Sequence, residues 1–138
     1  MLIFVLYHLR SRRYNFTSSC LIGYLEVDNL RYQMTQFQIL VGSYIDEIYT
    51  LLFDDARGSL DVVSTVKVGH HPSWIAFHPS DRSIVFTALE QSDGTAMALR
   101  FDEEGRGEVI CKTESGGKDP CSLVATADEL LIANVSNV

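Results

Sequence analysis

Two phrases in the chain repeat at a fixed distance. "FDDARG" (Phe53–Gly58) is echoed by "FDEEGRG" (Phe101–Gly107), and "GHHPS" (Gly69–Ser73) by "GKDPC" (Gly117–Cys121). Phe53 to Phe101 and Pro72 to Pro120 are both 48 residues apart. "ILVGSY" (39–44), "IVFTAL" (84–89) and "LLIANV" (130–135) occupy equivalent places. Between these landmarks, apolar, β-branched and aromatic runs of about five to eight residues alternate with polar turns. After residue 34 no stretch keeps a helical period. A sandwich has no reason to repeat at such a length. A four-stranded antiparallel unit recurring every 40–50 residues or so is a propeller blade. The sequence therefore predicts an all-β chain, a partial β-propeller of about two to two and a half four-stranded antiparallel blades.

The residue choices agree with that unit. Strands covered by neighbouring blades favour Val, Ile, Leu, Ala and Phe. Asp, Glu, Arg and Gly suit the exposed turns. Pro72 and Pro120 stand where a first strand begins and a missing N–H costs least. Residues 34–138 account for three strands of one blade, a whole second blade and half of a third. A ring typically needs four to eight blades, so the expectation is an N-terminal portion of a longer protein. Residues 1–33 carry Arg10, Arg12, Arg13 and Arg31 against Glu26 and Asp28, a net of +2. With −7 overall, the remainder carries −7 − 2 = −9. The pattern changes at the same place. We divide the chain into an extension, 1–33, and an incomplete propeller domain, 34–138, with Met34 the natural initiator.

Charge and cysteine usage exclude several classes of function. A net of −7, with no basic stripe, argues against nucleic acid and anionic membrane surfaces as partners. Three cysteines without CxxC spacing (Cys20, Cys111, Cys121) suit a reducing, cytoplasmic compartment better than a disulfide scaffold. The opening "MLIFVLYHLRSRR" is apolar before it is basic, the reverse of a secretory signal, and too short to span a bilayer. The sequons at Asn15 and Asn134 then occur by chance.

The phrases "ILVGSYIDEIYTLLFD", "VGHHPSWIAFHP", "ALEQSDG" and "GKDPCSLVATADELLIAN" resemble fungal members of the lactonase family with a seven-bladed β-propeller, the propeller-type 6-phosphogluconolactonases, often labelled carboxymuconate-cyclase-like. The resemblance covers about residues 36–134, roughly the first third of such a protein. It implies hydrolysis of a sugar lactone ester such as 6-phosphogluconolactone, with no cofactor and no metal. It also implies catalytic His, Arg and Glu residues in motifs of the type "SHPH" and "GPRH…NE". Neither motif occurs here, so no catalytic residue is assigned and the chain alone is expected to be inactive. Where relatives continue with an aromatic residue and a glycine, this chain reads "NVSNV", which suggests an incomplete gene model. A non-catalytic interaction scaffold and a muconate-type cycloisomerase are the alternative functions.

Blade topology does locate a site. The loop after a fourth strand and the loop between second and third strands emerge on one side. These loops are "GHHPS", "GGKDP", "SYIDE" and "EQSDG". His70, His71, Glu90, Asp93, Lys118 and Asp119 therefore form the expected rim of a substrate pocket. Asp93-Gly94 also reads as simple turn chemistry. His70, His71 and His78 lack a standard zinc spacing, and His71 and His78 fall at opposite ends of a strand. A Ser73–His71–Asp119 triad lacks the GxSxG elbow, and a Glu90–Asp119 carboxylate pair has no other support. Trp74 is expected to pack between blades.

Overall fold

The structure, a computed structural model, describes residues 5–8 and 36–136, the first segment as backbone only. It is all-β. Ten strands are present among the described residues: β1 (Val5–His8), β2 (Gln36–Val41), β3 (Glu47–Asp54), β4 (Ser59–Lys67), β5 (Pro72–Phe77), β6 (Ile84–Leu89), β7 (Thr95–Phe101), β8 (Gly107–Glu114), β9 (Lys118–Ala125) and β10 (Leu130–Ser136). They form three antiparallel sheets in sequence order: β1-β2-β3-β4, β5-β6-β7-β8 and β9-β10. Each is a blade or part of one, and the fold is a partial β-propeller. β2 to β4 were expected as three strands of a first blade. The fourth strand of that sheet comes from the N-terminal stretch, with Val5 opposite Val41 and His8 opposite Gln38. The rest of 1–33 lies outside the described residues.

The 48-residue repeat is structural down to its irregularities. The ladder between β3 and β4 slips after Thr50, and that between β7 and β8 slips after Ala98, its equivalent. In the first turn the Arg57 N–H donates to the Asp54 carboxylate at 3.0 Å. In the second the Arg106 N–H donates to the Asp102 carboxylate at 2.8 Å. Aspartate suits both places because its short side chain closes a turn on a backbone N–H two to four residues on.

The core lies between the first and second sheets. Period-two alternation turns Leu40 and Ile48 of the first sheet toward Ile75, Val85, Leu89, Met97 and Leu99 of the second. Burying each such side chain stabilises the fold by about 1.5–3 kcal/mol. Thr50 is also buried there; its hydroxyl donates to the Gly105 carbonyl at 2.7 Å and so needs no water. The third sheet lays β9 against β5 and β6, with Leu123 2% exposed. Trp74 bridges these sheets, donating its indole N–H to the Leu123 carbonyl at 2.9 Å, in line with its expected place between blades.

Glycine is required where the blades touch. A Cβ on Gly42 would sit 2.4 Å from the Pro72 carbonyl oxygen, because the next residue, Ser43, donates its N–H to that oxygen. A Cβ on Gly94 would meet the Gly117 carbonyl oxygen. One boundary differs from the sequence reading. "GGKDP" was expected as a loop, but β9 begins at Lys118, which pairs with Ser136 across a bulge.

Candidate functional site

Four connections meet at one end of the sheets: Gly42–Asp46, Val68–His71, Glu90–Gly94 and Ser115–Gly117. Tight backbone bonds hold them. The Val68 and Gly69 N–H groups donate to the Asp46 carbonyl at 2.9 and 3.2 Å. The Glu90 N–H donates to the His71 carbonyl at 2.9 Å, and the Asp119 N–H to the Gln91 carbonyl at 3.0 Å. Loops fastened in this way present side chains from a rigid frame.

Three of the predicted rim residues come together, joined by two that the sequence reading did not single out. The His70 and His71 rings stack with centroids 3.6 Å apart. His70 Nδ1 lies 3.3 Å from the Asp46 carboxylate. Tyr44 presents an edge to His71, with centroids at 5.1 Å, and donates its hydroxyl to the Glu90 carboxylate at 3.1 Å. His71 Nδ1 is 3.3 Å from the Glu90 carbonyl oxygen. A carbonyl and a carboxylate can only accept, so each of these contacts is a hydrogen bond when the imidazole carries a proton on Nδ1. In the neutral ring that leaves Nε2 as an acceptor. Tyr44 and Asp46 belong to "SYIDE", which the topology had placed on this rim. No signal within that loop singles out these two residues before it packs against the histidines and Glu90.

The environment acts most clearly on Tyr44. Desolvation holds its phenol above the ordinary value. The hydrogen bond to Glu90, the charge of Glu90 and then Cys121 act in the same direction. The phenol therefore remains a donor over the whole physiological range.

The other predicted residues are placed differently. Asp119 is half-buried at the start of β9, Lys118 beside it is exposed, and Asp93 is exposed in a turn closed by the Gly94 N–H on the Gln91 carbonyl at 2.9 Å. His71 and Asp119 share an unusual backbone. Both have positive φ, 54° and 50°, and both directly precede the buried prolines of the repeat. That conformation strains a non-glycine residue by on the order of 1–3 kcal/mol, and His and Asp are among the side chains that tolerate it best.

The weaker constellations do not assemble. The Ser73 hydroxyl is buried without a hydrogen-bond partner among the described residues, so no serine–histidine pair forms. His78 lies at the far end of β5, where Nδ1 accepts from the Ser80 and Asp81 N–H groups. Among the described residues no group of three or more His, Cys, Asp or Glu side chains could hold a metal ion, and no helix is long and apolar enough to cross a membrane. A cavity of about 310 Å³ opens at that far end, lined by residues such as Gln38, Leu40, Phe77, Arg82 and Phe101. It is on the side of His78 and remote from His70 and His71.

The sequence pattern described as Lactonase, 7-bladed beta-propeller matches residues 38–137, most of the chain. The chain belongs to that family. Two solved structures show how this lactonase propeller relates to longer ones. A candidate 6-phosphogluconolactonase of Bacteroides fragilis is 27% identical with a TM-score of 0.65, the match covering 72% of this chain and 29% of that one. One from Bacteroides uniformis is 26% identical with a TM-score of 0.64, covering 72% and 30%. The chain thus spans less than a third of the length of either. A search of the curated proteins finds no match.

Proposed function

We propose that this lactonase propeller contributes part of the substrate rim of a sugar-lactone hydrolase acting on 6-phosphogluconolactone or a close relative, in the cytoplasm. The observation that carries this reading is the joining of Tyr44, Asp46, His70, His71 and Glu90 across two blades at one end of the sheets. Family membership and the names of the two similar structures support the substrate class.

Lactone hydrolysis needs water attack on the ester carbonyl, a general base for that water and donors for the developing oxyanion. The described rim supplies hydrogen-bonding groups that can orient a sugar ring. His71 Nε2 and the Glu90 carboxylate accept from hydroxyls, and the exposed Lys118 ammonium can donate. The four loops contain no arginine, the residue best suited to a phosphate. Base and oxyanion donors come from blades beyond the two and a half described here, so this chain binds without turning over.

The test combines two measurements on the purified chain. 6-Phosphogluconate, the stable product, is expected to shift the amide resonances of His71, Glu90 and Asp119, while 6-phosphogluconolactone hydrolyses at its spontaneous rate. Accelerated hydrolysis would show that the catalytic set is already present. An unperturbed rim would favour a non-catalytic scaffold.

A further inference from the structure

The rim holds two copies of one device. In each repeat a residue with positive φ precedes a buried proline, His71 in one and Asp119 in the next. Neither the polar strand edge nor the proline requires a strained, chemically active side chain there, since glycine adopts that conformation freely. The two turns are clipped to consecutive residues, His71 to Glu90 and Asp119 to Gln91. They therefore flank one short segment on the same side of the sheets.

Their chemistry is that of acceptors. His71 Nδ1 faces a carbonyl oxygen, which leaves Nε2 open. The Asp119 carboxylate is half-buried and makes no hydrogen bond or ion pair among the described residues. Between them the Glu90 carboxylate accepts from Tyr44 through one oxygen and keeps the other. Asp46 and Asp93 stand on the same four connections, and against all these carboxylates the permanent cations directly beside the connections among the described residues are Lys118 and Lys67, both exposed, with Lys67 in register with Glu47. Such a surface repels a phosphate. It suits neutral hydroxyl groups, which donate to pre-positioned acceptors held on a rigid frame.

We propose that His71, Glu90 and Asp119 form a polyol subsite that grips adjacent hydroxyls of the sugar, and that this part of the rim does not read the phosphate. The inference rests on the lactone reading above and specifies which end of the substrate these blades hold. The phosphate end then points toward blades beyond the described residues.

The experiment follows backbone amides of the isotope-labelled chain with three probes: sorbitol, inorganic phosphate and 6-phosphogluconate. Sorbitol and 6-phosphogluconate are expected to shift the amides of His71, Glu90 and Asp119 in the same direction, and phosphate to leave them unmoved. Asp119→Gly keeps the backbone conformation and removes the carboxylate; it should weaken sorbitol by about tenfold. Glu90→Gln should weaken it similarly, while Asp128→Asn, in the exposed turn between β9 and β10, should not. Shifts caused by phosphate alone, or undiminished sorbitol binding by Asp119→Gly, overturn the subsite. If 6-phosphogluconate binds the rim and sorbitol does not, the subsite falls and the lactone reading stands. If neither binds, both fall.

Discussion

The indole N–H of Trp74, in the second sheet, donates to the carbonyl of Leu123, in the third, at 2.9 Å. One polar contact thus ties two blades at a point where Leu123 is almost fully buried. Trp74→Phe keeps most of the ring and strands a buried carbonyl, so it should destabilise the fold by about 1–3 kcal/mol. Trp74→Ala also removes the packing and should cost more. Urea midpoints for the two variants give the comparison. Equal stability of Trp74→Phe and the parent would mean the bond contributes nothing.

Blade contact at Gly42 is a backbone-to-backbone approach, so a methyl group there has nothing soft to displace. Gly42→Ala is expected to destabilise by at least about 1–3 kcal/mol, the range for overpacking a tight site. Gly58→Ala is a control with open space around it and only a positive φ of 63° to strain, for which about 1 kcal/mol is expected. Thermal or urea unfolding should rank Gly42→Ala as the worse of the two.

Acid should loosen the turns through Asp54 and Asp102. The Asp54 carboxyl is held below its ordinary value first by the hydrogen bond from Gln36, then by the Arg57 N–H. The Asp102 carboxyl is lowered mainly by the Arg106 N–H, with the Arg106 side chain adding to it. A folded value below the unfolded one means the ionised form favours the native state. That stabilisation is complete above the unfolded value, near pH 4, and is lost as pH falls through the folded one. The double variant Asp54→Asn with Asp102→Asn should flatten the drop in urea midpoint between neutral pH and about pH 3. An unchanged slope would place the acid sensitivity elsewhere.

Tyr44 offers a reading of the rim itself. Its phenol is raised first by desolvation and then by Glu90. For this acid the neutral form is the favoured one in the fold, so its contribution is present below about pH 10 and lost as pH rises through the higher folded value. Glu90→Gln removes the charge and leaves the burial. The Tyr44 titration, isolated by subtracting the phenolate absorbance of Tyr44→Phe, should move partway back toward the ordinary value. No movement would mean that the hydroxyl and carboxylate are apart in solution.

The 48-residue repeat alone determined the blades, because alternating faces and polar turns are local properties that recur wherever the same unit is built. It also placed the four rim loops on one side, since antiparallel connection order leaves no other arrangement. His70, His71 and Glu90 were legible from that logic. Lys118 and Asp119 were legible as rim positions but not as the start of a strand, because pairing with Ser136 depends on a bulge in β9, at Cys121. Tyr44 and Asp46 were not picked out. Nothing within "SYIDE" distinguishes them until packing carries that loop against His70, His71 and Glu90, residues 24 to 46 positions away. The left-handed turns at His71 and Asp119 were likewise invisible. A residue before proline ordinarily favours an extended backbone, and only the tertiary contacts to Glu90 and Gln91, made between blades and loops distant in sequence, hold these two in the strained one.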